Sequence, residues 1–180
     1  MKSNFIINEL WQLSIAGAFQ RAGIYRPEAS EEAKNKFKRE LKEDLESFIA
    51  EQYFKPCSES QHLKNIEKLS EHTKDYAEIL KGGQLNIGVS QKVLNLFLKY
   101  VWCLKLIPTP PHFPVERSNQ IVLNEKAKSL GLATTPLLPW TQIRTIEEYL
   151  TVIELAKRVQ RALPEYQQLT LADMELGVMI

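Results

Sequence analysis

Residues 89–105 read VSQKVLNLFLKYVWCLK, and this segment is apolar around most of its circumference when it is drawn as a helix. The polar side chains Gln91, Lys92, Asn95 and Lys99 gather on one narrow stripe. A helix that is apolar on nearly all sides is usually buried in the interior of a protein. The pattern therefore predicts a central buried helix around which the rest of the chain packs.

Six further segments show helical spacing of apolar residues and end at glycine or proline signals. The predicted helices are residues 4–22, 30–53 and 59–81, a short helix between Ser118 and Gly131, residues 145–163, and a last short helix after Thr170. No alternation of period two is long enough to predict a strand. The sequence therefore predicts one all-α domain of about seven helices over residues 1–180, with residues 132–180 supplying the C-terminal helices.

The bulk composition is that of a soluble globular protein, with 44% hydrophobic and 25% charged residues. A formal net charge of +1 excludes strong attraction of the whole molecule to nucleic acid, but it leaves room for a local basic patch. No apolar run is long enough to span a bilayer. The two cysteines, Cys57 and Cys103, do not make a disulfide framework, so a reduced, cytoplasmic setting is expected.

Metal and cofactor chemistry finds little support in the sequence. Cys57, His62, His72, Cys103 and His112 lack the paired close spacings of zinc ligands, and we interpret them as surface or capping histidines and buried thiols. Phosphate-binding loops, dinucleotide fingerprints and nucleophile elbows are missing as well. We therefore expect no metal and no cofactor.

Two ionisable residues stand out around the central segment. Lys92 lies on the polar stripe of a helix that is otherwise buried, and partial desolvation would lower its pKa and favour the nucleophilic amine. Glu116 follows Pro114 and Val115 at the start of the next predicted helix, where the helix dipole favours its ionised form. The turn GGQLNIG, residues 82–88, precedes the central helix and could present backbone N–H groups to a phosphate.

Two of these stretches, NIGVSQKVLNLFLKYVW at 86–102 and HFPVERSNQIV at 112–122, resemble the helix-hairpin-helix DNA glycosylases, including their archaeal 8-oxoguanine branch. The resemblance implies a helix-hairpin-helix core within residues 29–131 and an enzyme of DNA repair that binds duplex DNA. Lys92 would attack the anomeric carbon of the sugar, and Glu116 stands where the family has aspartate. Gly83 and Gly88 would shape the hairpin that grips phosphate.

The same resemblance implies further contacts with nucleic acid. Phe113 and Trp140 would stack on a flipped base or wedge the duplex. Gln91, His112 and Arg117 would contact the nucleic acid, the last two through phosphate.

Plainer interpretations and other functions stay open. Lys92 could be solvated at a helix edge, Glu116 could only favour the start of a helix, and the prolines could only stiffen a corner. A non-catalytic helical module could bind a protein helix or self-associate through one of two apolar groups: Phe5, Ile6, Trp11 and Leu13, or Leu171, Met174, Val178 and Met179. A small-molecule pocket could be built from Gln91, Asn95, Lys99 and His112. A separation between Lys92 and Glu116 within about 10 Å across an open cleft would favour the enzyme.

Overall fold

Seven helices run through residues 2–178, which are the residues described by the structure, a computed structural model. They are α1 Lys2–Phe19, α2 Glu31–Gln52, α3 Glu59–His72, α4 Ile87–Cys103, α5 Arg117–Ser129, α6 Ile146–Ala162 and α7 Leu171–Val178. They form one compact domain, and the described residues contain no strand. The predicted all-α class and the number of helices are confirmed.

Helix α4 lies at the centre of the domain, as its composition predicts. Val93, Phe97 and Leu98 are buried on it, and α1, α3 and α6 all pack against it. Helix α1 approaches so closely that a Cβ atom added to Gly17 would lie 3.0 Å from Cδ1 of Leu96. The N-terminal helix therefore belongs to the hydrophobic core of the domain.

Helix α3 ends at His72, earlier than the predicted limit of residue 81. A 3₁₀ turn, Thr73–Tyr76, follows it. The hydroxyl of Thr73 accepts a hydrogen bond from the N–H of Leu85 at 2.9 Å, and the hydroxyl of Ser70 donates to the carbonyl of Leu85. Because these side chains bind the backbone of the incoming segment, the chain leaves the helix and turns towards α4.

The glycine-rich turn differs from the predicted phosphate-gripping hairpin. Gly83 does adopt a left-handed backbone, with φ at +76°. Gly88, however, lies inside the first turn of α4, and its N–H donates to the carbonyl of Ile143 at 3.0 Å. A Cβ atom at Gly88 would lie 1.7 Å from the carbonyl oxygen of Trp140. Gly88 thus permits close packing of the 140–143 segment, and its amide is not available to a phosphate.

The loop of prolines folds onto the polar stripe of α4. Gln91 donates to the carbonyl of Val115 at 3.2 Å and accepts from the N–H of Val115 at 3.1 Å. Asn95 donates to the carbonyl of Phe113 at 3.2 Å. Helix α5 then begins at Arg117 with Glu116 as its N-cap, whereas the predicted helix lay between Ser118 and Gly131. These bonds fix the direction in which the start of α5 leaves the core.

Candidate active site at the start of helix α5

An open cleft of about 530 Å³ lies where the end of α1, the middle of α4, the start of α5 and the 3₁₀ turn Trp140–Gln142 meet. Its polar and aromatic lining comes from all four elements. The charged and aromatic side chains are Arg21, Lys92, Tyr100, Glu116, Arg117 and Trp140, and the other polar ones are Gln20 and Ser118. The volume lies in the range of sites that bind small organic molecules.

Lys92 forms the floor of this cleft and is only 5% exposed. Its Nζ lies 3.6 Å from Oε2 of Glu116 and 4.0 Å from the centre of the Trp140 ring. Burial lowers the pKa of Lys92, the carboxylate of Glu116 partly offsets this, and the positive charge of Arg21 adds to the lowering. The net effect shifts the amine towards its neutral, nucleophilic form.

Glu116 is held in place through its backbone. Its N–H donates to Oδ1 of Asn119 at 2.9 Å, and Nδ2 of Asn119 donates to the carbonyl of Pro114 at 2.7 Å. The preceding residue, Val115, is bound on both sides of its peptide unit by Gln91. Since the side chain of Glu116 remains 39% exposed, its carboxylate faces both the lysine and the solvent.

Trp140 covers the lysine from the other side. It is 7% exposed, and its ring lies against the Lys92 ammonium at cation–π distance. The close approach of its backbone to Gly88 fixes this position. The ring lines the cleft, and its stacking on a base stays a prediction.

Two exposed arginines make the cleft basic. Arg21 follows the end of α1, and Arg117 is the first residue of α5. Neither forms an ion pair with another residue in the range 2–178. Among the described residues that line the cleft, Glu116 is the only acidic one. The cleft therefore carries excess positive charge, although the whole chain is nearly neutral.

Three residues predicted to contact nucleic acid lie in the core instead. Phe113 is 1% exposed and packs among buried hydrophobic side chains, so it cannot stack on a base. Gln91 is buried and hydrogen-bonded to the proline loop. His112 is buried beside Tyr149. Gly83 and Gly88 do not line the cleft either.

The buried histidines belong to a polar cluster inside the domain, which Tyr149 connects to Asn95 on the polar stripe of α4. Nδ1 of His112 lies 3.0 Å from the hydroxyl of Tyr149, and Nδ1 of His62 lies 2.8 Å from that of Tyr53. Neither Nε2 has a hydrogen-bond partner among the described residues, although Glu59 Oε1 lies 3.5 Å from that of His112. Burial lowers the pKa of His112 to about 3 and that of His62 well below its usual value. Both histidines are therefore neutral core residues, contrary to the surface interpretation.

The small-molecule pocket that the sequence suggested is not formed. Gln91, Asn95 and His112 bind core groups, while Lys99 pairs with Glu175 at 2.8 Å.

Within residues 2–178, no three histidine, cysteine or acidic side chains are grouped so that they could hold a metal ion. Cys57 is half-buried and Cys103 exposed, so the interpretation of both as buried thiols was wrong. No helix in the described range is long and apolar enough to cross a membrane.

Arg21, which follows the end of α1 and lines the cleft, was not predicted from the sequence. No local signal marks it, because it enters the cleft through the packing of α1 on α4 at Gly17 and Leu96. Helix α1 ends at Phe19, earlier than the predicted limit of residue 22, and Gly23 adopts a left-handed backbone with φ at +54° in the turn that follows. Comparisons of the chain with protein-family models, curated proteins and solved structures found no match.

Proposed function

We propose that this protein is a DNA glycosylase or lyase that acts on damaged or abasic sites through an imine on Lys92. The observation that carries the proposal is a buried lysine of lowered pKa, 3.6 Å from a carboxylate, at the floor of an open basic cleft. Few buried lysines serve stability, since burial penalises the ammonium form. A perturbed lysine in a cleft is therefore a candidate nucleophile.

The chemistry uses only side chains of this chain. The neutral amine of Lys92 attacks C1′ of the deoxyribose, the bond between C1′ and the base breaks, and the base leaves with the electron pair and takes up a proton. Glu116 stabilises the positive charge that develops on the sugar and then accepts a proton from the attached nitrogen. Opening of the sugar ring yields the imine. At an abasic site the amine adds to the aldehyde carbon and water leaves.

The shape and charge of the cleft favour a nucleotide as substrate. A base must leave the stack to reach a buried amine, which costs a few kcal/mol and requires a pocket of nucleoside size. Positive charge around the pocket attracts the phosphates on either side of the flipped nucleotide. Arg21 and Arg117 supply this charge at the rim, where both side chains are exposed.

Borohydride trapping tests the proposal. Wild type is incubated with duplex DNA that carries an abasic site or 8-oxoguanine, and covalent complexes are separated on a denaturing gel. We expect a complex with wild type and with Lys99→Ala, and none with Lys92→Ala. Lys99 is the matched control because it lies on the same helix but pairs with Glu175 outside the cleft. An undiminished complex in Lys92→Ala, or none with wild type on either substrate, contradicts the proposal.

A second candidate function, self-association or binding of another helix, rests on the outer face of α1. Phe5 is 65% exposed, and Ile6 and Leu13 are exposed on the same helix. Trp11, Leu171 and Met174, which were also predicted to form such surfaces, are buried in the core. The side chain of Val178 and all of Met179 lie outside the described residues. Sedimentation of wild type and of Phe5→Ser/Leu13→Ser tests self-association: a dimer that the double variant abolishes supports it, and a monomer in both contradicts it.

A further inference from the structure

We propose that Arg21 and Arg117 bind a phosphate ester attached to the sugar that reacts with Lys92. The two guanidinium groups enter one cleft from different elements, the end of α1 and the first residue of α5. This inference rests on the proposed function for the identity of the reacting group. It adds that the two arginines bind the phosphate directly, whether the sugar is free or part of a DNA strand.

The charge balance of the cleft carries the inference. Lys92 and Glu116 offset one another at 3.6 Å, which leaves the charges of Arg21 and Arg117 without a counterpart among the described lining residues. Two exposed guanidinium groups that share a cleft with one neutralised ion pair attract an anion. Guanidinium also matches phosphate geometry with paired N–H donors, which makes arginine suited to such a role.

The position of Arg21 relative to Lys92 supports its assignment to phosphate binding. Its positive charge acts on Lys92 and favours the neutral amine. Arg21 and Lys92 line the same cleft, so one sugar phosphate could contact both side chains. Helix α1 brings Arg21 there through the close contact between Gly17 and Leu96, one helical turn beyond Lys92 on α4.

The shared chemistry is a phosphate ester beside a sugar aldehyde, and it occurs in a free sugar phosphate and in a DNA strand with an abasic site. In either case the Lys92 nitrogen bonds to the aldehyde carbon, the carbonyl oxygen leaves as water, and added borohydride reduces the imine to a stable amine. The phosphate stays intact through this step. The labelled lysine can then be identified by peptide mass spectrometry.

The first experiment compares borohydride labelling of Lys92 by 2-deoxyribose, by 2-deoxyribose 5-phosphate and by an abasic oligonucleotide. We expect at least tenfold faster labelling by the phosphorylated compounds, equivalent to about 1.4 kcal/mol. Arg21→Gln removes a charge that favours the neutral amine of Lys92, so it should slow all three compounds to a similar degree. The readout is therefore the ratio of the rates for phosphorylated and unphosphorylated sugar, which should fall at least fivefold in Arg21→Gln and stay largely unchanged in Arg21→Lys. Arg39→Gln, on the exposed face of α2, is the matched control. A loss on the oligonucleotide alone identifies a backbone phosphate, and a loss on both identifies any sugar phosphate.

An unchanged preference in Arg21→Gln on both arms overturns the inference, as does a wild type that shows no preference. A second measurement does not depend on imine chemistry. Phenylglyoxal modifies exposed arginines, and inorganic phosphate should slow its reaction with Arg21 and Arg117 but not with Arg39. Protection without any labelling of Lys92 would support phosphate binding while contradicting the proposed enzyme. Equal modification with and without phosphate would contradict the binding site itself.

Discussion

Lys92 and Glu116 lie on different elements, yet Nζ of the lysine is 3.6 Å from Oε2 of the glutamate at the floor of an open cleft. The lysine is buried and the glutamate is partly exposed, so the pair is unequal. The carboxylate keeps much of its hydration, whereas the ammonium has exchanged water for the Trp140 ring and one carboxylate oxygen. This arrangement lowers the pKa of Lys92, and that pKa can be measured.

Replacing Lys92 by methionine should make the protein more stable. The variant removes a buried ammonium whose pKa is lowered by burial, and it leaves a carboxylate that is 39% exposed, so we expect the free energy of unfolding to rise. Lys99→Met is the contrasting control on the same helix. It leaves Glu175, which is 9% exposed, without its partner at 2.8 Å, and it should cost about 2–3 kcal/mol. Urea denaturation of both variants checks the prediction, and a large loss of stability in Lys92→Met would show that the lysine is structural.

Replacing Glu116 by glutamine should lower the pKa of Lys92 further. The ammonium loses its nearby negative charge, while burial and the charge of Arg21 continue to favour the neutral amine. The pH profile of acylation of Lys92, followed by peptide mass spectrometry, gives the midpoint directly. We expect it to move to lower pH in Glu116→Gln and to stay in place in Glu175→Gln, which affects Lys99 instead. A midpoint that rises in Glu116→Gln would contradict this account of the pair.

Replacing Gly88 by alanine should disturb both the fold and the site. The new Cβ atom would lie 1.7 Å from the carbonyl oxygen of Trp140, so the 140–143 segment must move. Overpacking of this kind costs about 1–3 kcal/mol or more, and the same movement displaces the ring that covers Lys92. In Gly82→Ala, the control from the neighbouring turn, the nearest atom would lie at an ordinary 3.4 Å. Thermal unfolding and the acylation profile of Lys92 should change in the first variant and hardly in the second.

The buried histidine pair should make the protein sensitive to acid. The pKa of His112 is lowered to about 3, and that of His62 lies well below its usual value, so both are neutral in the folded state. Unfolded histidine binds a proton near pH 6.5. Stability is therefore complete above about pH 6.5 and falls as the pH drops towards 3, because protons bind preferentially to the unfolded chain.

We expect His62 and His112 to account for at least about 2 kcal/mol of the stability lost between pH 7 and pH 4. Urea denaturation across this range should show a shallower pH dependence in His62→Gln/His112→Gln. His72→Gln is the control, because His72 lies on the surface of α3 beside Asp44. The same pH dependence in the double variant and in wild type would contradict the assignment.

Local patterns predicted the helices because each one has its own apolar periodicity and its own stop signals. The end of α3 could not be predicted in this way, since it depends on hydrogen bonds from Ser70 and Thr73 to the distant Leu85. The polar stripe of the central helix could be identified from the sequence alone, and its residues Gln91, Lys92 and Asn95 are buried in the structure. What each polar residue binds is decided by segments far away in the chain.

The residues of the candidate site could also be predicted only in part from the sequence. Lys92 and Glu116 were each singled out by their setting, and the resemblance implied that they share one site; Nζ of Lys92 and Oε2 of Glu116 lie 3.6 Å apart. Their neighbours on the stripe and loop, Gln91 and Phe113, were assigned to nucleic acid but serve the packing of the proline loop on α4. Arg21 was missed because only the tertiary packing of α1 brings it to the cleft.

The most direct test of the account is to identify the residue that reacts with an abasic site. Wild type is treated with abasic duplex DNA and borohydride, the DNA is digested to a single sugar remnant, and the modified peptide is sequenced by mass spectrometry. We expect the remnant on Lys92 in the wild type and no remnant in Lys92→Ala. A remnant spread over exposed lysines or on the N-terminal amine, or no remnant, would contradict the assignment of Lys92 as the nucleophile.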